Sequence, residues 1–270
     1  MKFTILGASG FIGNNLSNHL KGKGFECFCP ERDYQFKKEE DLGHVVYCIG
    51  LTSDFRSKPF ETIEAHVCKL KEVLGNSSFN SFLYLSSTRV YNGCENGQES
   101  SKLIVDPNDF SDLYNISKIM GESICMSIPD DKIRIVRLSN VIGNDFTSGN
   151  FLFSLIKEAV LDNKITLQQP FSICRDYIMI NDVLEMIYNI STKGEYRIYN
   201  IASGKNLSNK EIISEIHKIT NCEIELSEES EGLVFPEISI KRIENEFEFK
   251  PNHIINELQE LILNYKNITI

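Results

Sequence analysis

The chain has 270 residues, 41% of them hydrophobic and 24% charged, which gives one or two globular domains and excludes a disordered, collagen-like or coiled-coil chain. With 28 basic against 38 acidic residues the formal charge is −10; this argues against a nucleic-acid partner, though a locally positive pocket could still hold a small anion. No apolar run approaches the roughly 20 residues that span a bilayer, and Phe3–Leu6 is too short for a signal peptide, so no membrane partner and a cytoplasmic location are expected.

Lys2–Leu6 reads as a buried parallel strand closed by Gly7. Phe11–Leu20 carries apolar residues at 12, 16 and 20, one face of a helix that Gly22 and Gly24 stop. Phe25–Cys29 and Val45–Ile49 are the next strands. Pro59–Leu74 is helical, Phe82–Leu85 a strand, Asp112–Met126 a helix and Ile133–Leu138 a strand. Further on, Phe151–Leu161, Asn209–Ile219 and Ile254–Leu263 read as helices, Tyr196–Ile201 as a strand and acid-rich Glu223–Glu231 as a solvated loop. This rhythm predicts an α/β fold: a Rossmann-like doubly wound parallel sheet with a smaller C-terminal substrate-binding α/β lobe. The eight cysteines are scattered without a CxxC. Cys27 and Cys29 share a strand face as packed thiols, and no metal site is expected.

Gly7-Ala8-Ser9-Gly10-Phe11-Ile12-Gly13 joins the first strand to the first helix. Such a turn lets the backbone approach a pyrophosphate, and the helix start offers free N–H groups and a positive dipole end. The spacing GxxGxxG within "TILGASGFIG" resembles the extended short-chain dehydrogenase/reductase superfamily, in particular its nucleotide-sugar epimerase/dehydratase branch. The resemblance implies an NAD or NADP site over Gly7, Ser9, Gly10, Phe11, Ile12 and Gly13, continued by Ile49 and Gly50. At the end of strand two, Glu31 stands where an acid binds the ribose diol of NAD. Arg32 beside it is a residue type that holds the 2′-phosphate of NADP. The two signals oppose each other, and Glu31 tips the reading to NAD.

The same resemblance implies a Tyr acid/base, a Lys four residues later and an earlier Ser or Thr. "LYNISK" supplies Tyr114 and Lys118 on one helix face. In "SSTRVY", counting back four from Tyr91 gives Ser87. A neighbouring ammonium is expected to lower the Tyr114 pKa from its ordinary value near 10, and Lys118 to hold the nicotinamide ribose as well. The 4,6-dehydratases of the branch carry Asp-Glu where Thr88-Arg89 stand here, so a dehydratase is disfavoured. His66 occupies a position where relatives commonly have Asn, with no catalytic role expected.

"RLSNVIG" and "CRDYIMINDV" resemble substrate-site segments. They imply that Asn140 lies near the substrate phosphates and that Arg175 is the diphosphate ligand, its fork matching phosphate geometry; Arg89 and Asn150 complete the implied substrate set. An ion pair of Arg175 with Asp176 or Asp182 is the competing reading. "YNIASG" and "KRIENEFEFKP" extend the likeness over nearly the whole chain. It divides into a dinucleotide-binding part, 1–138 plus about 178–202, and a substrate part, 139–177 and 203–270. Two departures stand out. Only eleven residues, Arg32–Leu42, fill the space where relatives fit a helix and another strand. Gln168 and Gln169 stand near the place where many relatives stack an aromatic on the nucleobase. The expected function is an NAD(P)-dependent reductase of a nucleotide-linked 4-keto sugar, working as a homodimer on a nucleotide-diphosphate sugar. A 4-epimerase with the same residues is the alternative, and a non-catalytic dinucleotide-binding regulator a third reading.

Overall fold

Apolar runs of four to seven residues are too short for stable helices but suit strands covered on both faces. In a computed structural model that describes residues 1–37, 40–52, 54–144, 146, 150–226 and 235–269, they are the strands of a parallel sheet. The chain order begins β1 (Lys2–Leu6), α1 (Phe11–Gly22), β2 (Glu26–Phe28), a two-residue β3 (Glu40–Asp41) and β4 (His44–Tyr47). There follow α2 (Pro59–Ile63), a π-helical turn (Glu64–Cys68), α3 (Lys69–Asn76), a two-residue β5 (Ser77–Ser78), β6 (Ser81–Ser87), α4 (Leu113–Ser127) and β7 (Ile133–Leu138). The remainder is β8 (Asn140–Ile142), α5 (Phe151–Lys157), β9 (Lys164–Leu167), β10 (Cys174–Met179), α6 (Ile180–Lys193), β11 (Ile198–Ile201), β12 (Asn206–Ser208), α7 (Asn209–Thr220), β13 (Glu223–Leu226), α8 (Lys241–Phe247) and α9 (Ile254–Thr269).

Six strands form the main sheet in the order β2-β1-β4-β6-β7-β11, every pair parallel. Leu6 pairs with Tyr47, Tyr47 with Tyr84 and Ser87 with Leu138, so the carboxyl ends of the central strands lie along one edge. The chain runs outward from β1 to β2 and then returns to β4. That reversal opens a crevice above β1 and β4, the position where open parallel sheets take ligands. Leu16 and Leu20 of α1 join Val183, Ile187 and Ile190 of α6 in the cluster on one face. Leu70 and Val73 of α3 and Cys125 of α4 belong to the cluster on the other.

β2 is an edge strand among the described residues. After it the chain packs Tyr34 edge-on to Phe28 and Phe36, with ring centroids 5.3 and 5.2 Å apart. This small aromatic cluster stands where the longer segment of relatives was expected to be missing. Cys27 and Cys29 flank Ser17, with Cys29 Sγ 3.4 Å from the Ser17 hydroxyl. A third cluster gathers Leu152, Ile156, Ile165, Ile212, Ile216 and Leu258 around β8, β9, β10, α5, α7 and α9.

Two expectations change, and one helix is new. Pro59–Leu74 is not one regular helix, because a π-helical turn interrupts it around His66. Residues 180–193, which carried no helix assignment, form α6 directly after β10. Glu223–Leu226 is not loop: it pairs in parallel with β9, its exposed acids helped by the Lys164–Glu225 ion pair. The rest of that acidic stretch, 227–231, lies outside the described residues.

Candidate active site

The glycine loop leaves β1 at the mouth of the crevice. Gly7 has φ +86°, and a Cβ there would lie 3.0 Å from the carbonyl carbon of Cys48 and the nitrogen of Ile49, so only glycine fits between the two strand ends. A Cβ on Gly13 would collide with the Gly7–Ala8 backbone, which explains how α1 packs so close to β1. Ser9 and Gly10 are exposed, and no side chain caps the start of α1. The first-turn N–H groups are therefore available to an anion. Across the crevice, a Cβ on Gly50 would lie 3.1 Å from His66 Nε2 and 3.3 Å from Lys118 Nζ. Bare backbone on both sides of a helix N-terminus fits a flat dinucleotide. Glu31 and Arg32 are exposed just beyond β2.

Tyr114 and Lys118 are buried one turn apart on α4, beside the end of β6 that carries Ser87. Burial pushes the Tyr114 phenol up, while the facing Ser87 hydroxyl and the Arg89 guanidinium pull it down. The cation beside the phenol is thus Arg89, its Cζ 5.6 Å from the ring centroid, and not Lys118 as the helix spacing suggested. Lys118 Nζ donates to the Leu85 carbonyl at 2.9 Å. Burial brings its ammonium down to about 8, against the opposing pull of Glu122.

Glu122 lies one further turn along the same helix face. It accepts from the Ser86 hydroxyl at 2.6 Å and from Arg137 Nη2 at 2.6 Å and Nε at 3.0 Å, all buried. Arg137 also donates to the Tyr91 hydroxyl at 2.7 Å, which donates to Asn200 at 2.8 Å. This network fixes the floor under Ser87 and Lys118. The i, i+4 step that paired Tyr114 with Lys118 also leads to Glu122, so its place was readable in the sequence.

His66 is fully buried, and burial followed by the Lys118 charge brings it to about 2, so its ring is neutral. Leu51 N–H donates to Nε2 at 3.2 Å, so Nδ1 carries the proton and donates to Ser117 Oγ at 2.8 Å. Ser117 in turn donates to the Tyr114 carbonyl at 2.8 Å. One unbranched path thus ties the loop after β4 to the helix that carries Tyr114 and Lys118. The π-helical turn turns His66 towards that path.

The implied substrate residues separate. Arg175 is stacked on Phe151 at 5.2 Å and donates to Gln169 Oε1 at 2.8 Å. It forms no ion pair with Asp176 or Asp182: Asp176 accepts from Ser203, and Asp182 from Asn252. Asn140 is exposed and donates to the Asp176 carbonyl at 2.8 Å. Asn150 caps α5, accepting from Phe153 N–H at 2.9 Å. Arg89 N–H donates to Ser87 Oγ at 3.2 Å, and its side chain lies on Phe55, a contact that sequence spacing could not reveal.

The sequence pattern of the NAD dependent epimerase/dehydratase family matches residues 3–202. The chain belongs to that family. Membership makes it an enzyme that works with a nicotinamide dinucleotide. Among curated relatives of this epimerase/dehydratase chain is the GDP-6-deoxy-D-mannose reductase of Pseudomonas aeruginosa, 25% identical over 257 residues that cover 82% of this chain and 81% of the relative. An uncharacterized UDP-glucose epimerase of Bacillus subtilis is 24% identical over 268 residues, covering 82% of each. Among solved structures, RMD from Pseudomonas aeruginosa complexed with NADPH superposes with a TM-score of 0.80 at 20% identity, over 99% of both chains. No helix among the described residues is long and apolar enough to cross a membrane.

Proposed function

We propose that this enzyme reduces the keto group of a nucleotide-linked 4-keto sugar with NADH or NADPH. The observation that carries the reading is the juxtaposition of Ser87, Tyr114 and Lys118 at the crevice of the sheet, with Thr88-Arg89 where a dehydratase needs acids. The reductase among its curated relatives supports the choice of reaction. A bound reduced nicotinamide supplies the hydride. Ser87 donates a hydrogen bond to the keto oxygen and fixes its direction. Tyr114 gives its phenolic proton to that oxygen as the carbonyl becomes an alcohol. Lys118, as an ammonium, holds the cofactor ribose. His66 and Ser117 hold the helix of Tyr114 against the loop that borders the cofactor. Arg175 takes the substrate diphosphate, with Asn140 beside it, and residues 139–177 and 203–270 form the substrate part. The third hydrophobic cluster, drawn from 142–177 and 212–265, supports this division, although Ile238, Ile240, Ile243 and Phe249 of the same part pack into the cluster on the sheet. Glu31 favours NAD. Arg32, exposed beside it, is the residue that would take a 2′-phosphate.

A 4-epimerase is the second reading, favoured by the Bacillus subtilis relative. Nicotinamide stoichiometry separates the two. With a nucleotide-linked 4-keto sugar, a reductase oxidises about one NAD(P)H per sugar, because each new C–H bond takes one hydride. Conversion of nucleotide hexoses with no net loss of absorbance at ~340 nm, the reduced nicotinamide's band, would establish the epimerase instead.

A further inference from the structure

Arg89 has more positive charge around it than the hydride chemistry uses. Its guanidinium is half-buried, with Cζ 5.2 Å from the Phe55 centroid and 5.6 Å from that of Tyr114. The exposed Arg56 lies on the same Phe55 ring at 4.5 Å. Other enclosed arginines are engaged by acids: Arg137 is paired with Glu122 and Arg242 with Glu99, while Arg175 donates to Gln169. Among the described residues neither Arg89 nor Arg56 forms an ion pair. Among the described residues the Arg89 side chain donates one hydrogen bond, a 3.5 Å contact with the Ser111 carbonyl.

The nearby acids are already engaged. Asp109 accepts from the amide and hydroxyl of Ser111, and Asp112 accepts from Asp106 N–H and Asn115 Nδ2. Two guanidiniums on one ring repel each other, and enclosing one without a direct ion pair costs free energy. Burial and then Arg56 accordingly lower the Arg89 pKa, against the weaker opposing pull of Tyr114, Asp112 and Asp109. Such an arrangement is stabilised when an anion arrives. The planar fork of arginine matches a carboxylate with two parallel hydrogen bonds.

The place of Arg89 defines which carboxylate. Its own amide donates to Ser87 Oγ, and its side chain lies beside the phenol that shares the reacting oxygen. An anion held there belongs to a substituent on a ring carbon adjacent to the reacting one. We propose that Arg89, assisted by Arg56, binds the C6 carboxylate of a nucleotide-linked hexuronic acid, so that the enzyme selects an acidic sugar over the neutral hexose. This rests on the nucleotide-sugar reading above.

Calorimetry on the full chain saturated with NAD⁺ tests it with UDP-glucuronic acid against UDP-glucose, GDP-mannuronic acid against GDP-mannose, and UDP and GDP alone. In at least one pair the uronate binds about tenfold or more tighter, the scale of a charge-assisted bidentate pair. Arg89→Gln removes that advantage and leaves the neutral sugar within about twofold, while Arg89→Lys keeps part of it, as a point charge without the fork does. Arg56→Gln, exposed and harmless to folding, reduces the advantage by about threefold, as expected of a peripheral charge. Equal affinity for acid and neutral sugar, or an advantage that survives Arg89→Gln, overturns the proposal. An equal loss with UDP or GDP alone also overturns it, since Arg89 would then serve the diphosphate. Failure of every sugar nucleotide to bind refutes the nucleotide-sugar reading itself, and the proposal with it.

Discussion

Tyr114 stands between opposing influences: burial holds its proton on, and Ser87 and Arg89 favour its release. A phenol kept protonated but near an acceptor can donate its proton when the keto oxygen gains charge. Tyr114→Phe removes that proton and little volume. It should leave folding and cofactor binding intact and lower turnover by at least about 100-fold, the usual scale for losing a general acid; near-wild-type turnover would remove Tyr114 from the mechanism. Lys118 gives the pH dependence. Its folded value is depressed from 10.5 to about 8 by burial, so its ammonium is lost as pH rises through that value. In the proposed mechanism the working form is the charged one, so kcat/KM for reduction should fall on the basic side. For stability the sign is opposite. The charged lysine is disfavoured in the fold below about 8, and that penalty is relieved between about 8 and 10.5 as the proton leaves. Because Glu122 supports the charge, Glu122→Gln should move the basic limb of kcat/KM to lower pH. An unmoved limb would show that Lys118 does not set it.

The elements were unevenly legible. Each strand of the main sheet follows from its apolar run, although β2 and β11 are shorter than expected. α6 escaped assignment although Ile180, Val183, Leu184, Ile187 and Ile190 recur at helical spacing; it follows β10 with no glycine or proline to mark the change. The π-helical turn depends on how α2, α3 and α4 pack, which a local pattern does not encode. Those same helices suggest an assembly. Phe60 is 85% exposed and Met120 48% exposed, with Ile63, Val67 and Ile116 only half-buried between them. Scattered exposed apolar residues are ordinary, but this group lies on α2, the π-helical turn and α4, which contact one another. We expect two copies to pair through these helices. Sedimentation velocity should find a dimer at micromolar concentration, and Met120→Glu should shift it towards monomer by burying a charge at the contact. A monomeric wild type, or a dimer indifferent to Met120→Glu, refutes this interface.

At the scale of the whole molecule, the glycine loop and the Tyr114/Lys118 spacing were readable because each sits within one strand–helix step. The Arg89–Phe55–Arg56 stack and the His66 path were not, since they join segments far apart in sequence through packing alone. The short connection after β2 has the widest consequence. It leaves β2 at the sheet edge, with Glu31 and Arg32 exposed beyond it and an aromatic cluster of Phe28, Tyr34 and Phe36 nearby. On the proposed reading, the adenine end of the cofactor would then meet fewer elements than the nicotinamide end, which Gly50, His66 and Lys118 would border. Fewer contacts act mainly on the dissociation rate. A reductase must release its oxidised cofactor each cycle, so quick exchange serves it. An epimerase returns the hydride to the same sugar and is exposed to losing its cofactor midway. Stopped-flow displacement of NADH or NADPH should therefore give dissociation faster than about 10 s⁻¹, a typical enzyme turnover. Protein denatured straight after purification should release far less than one dinucleotide per chain. A full equivalent of retained NAD, with dissociation slower than turnover, would overturn the exchange argument and make the 4-epimerase the better reading of this site.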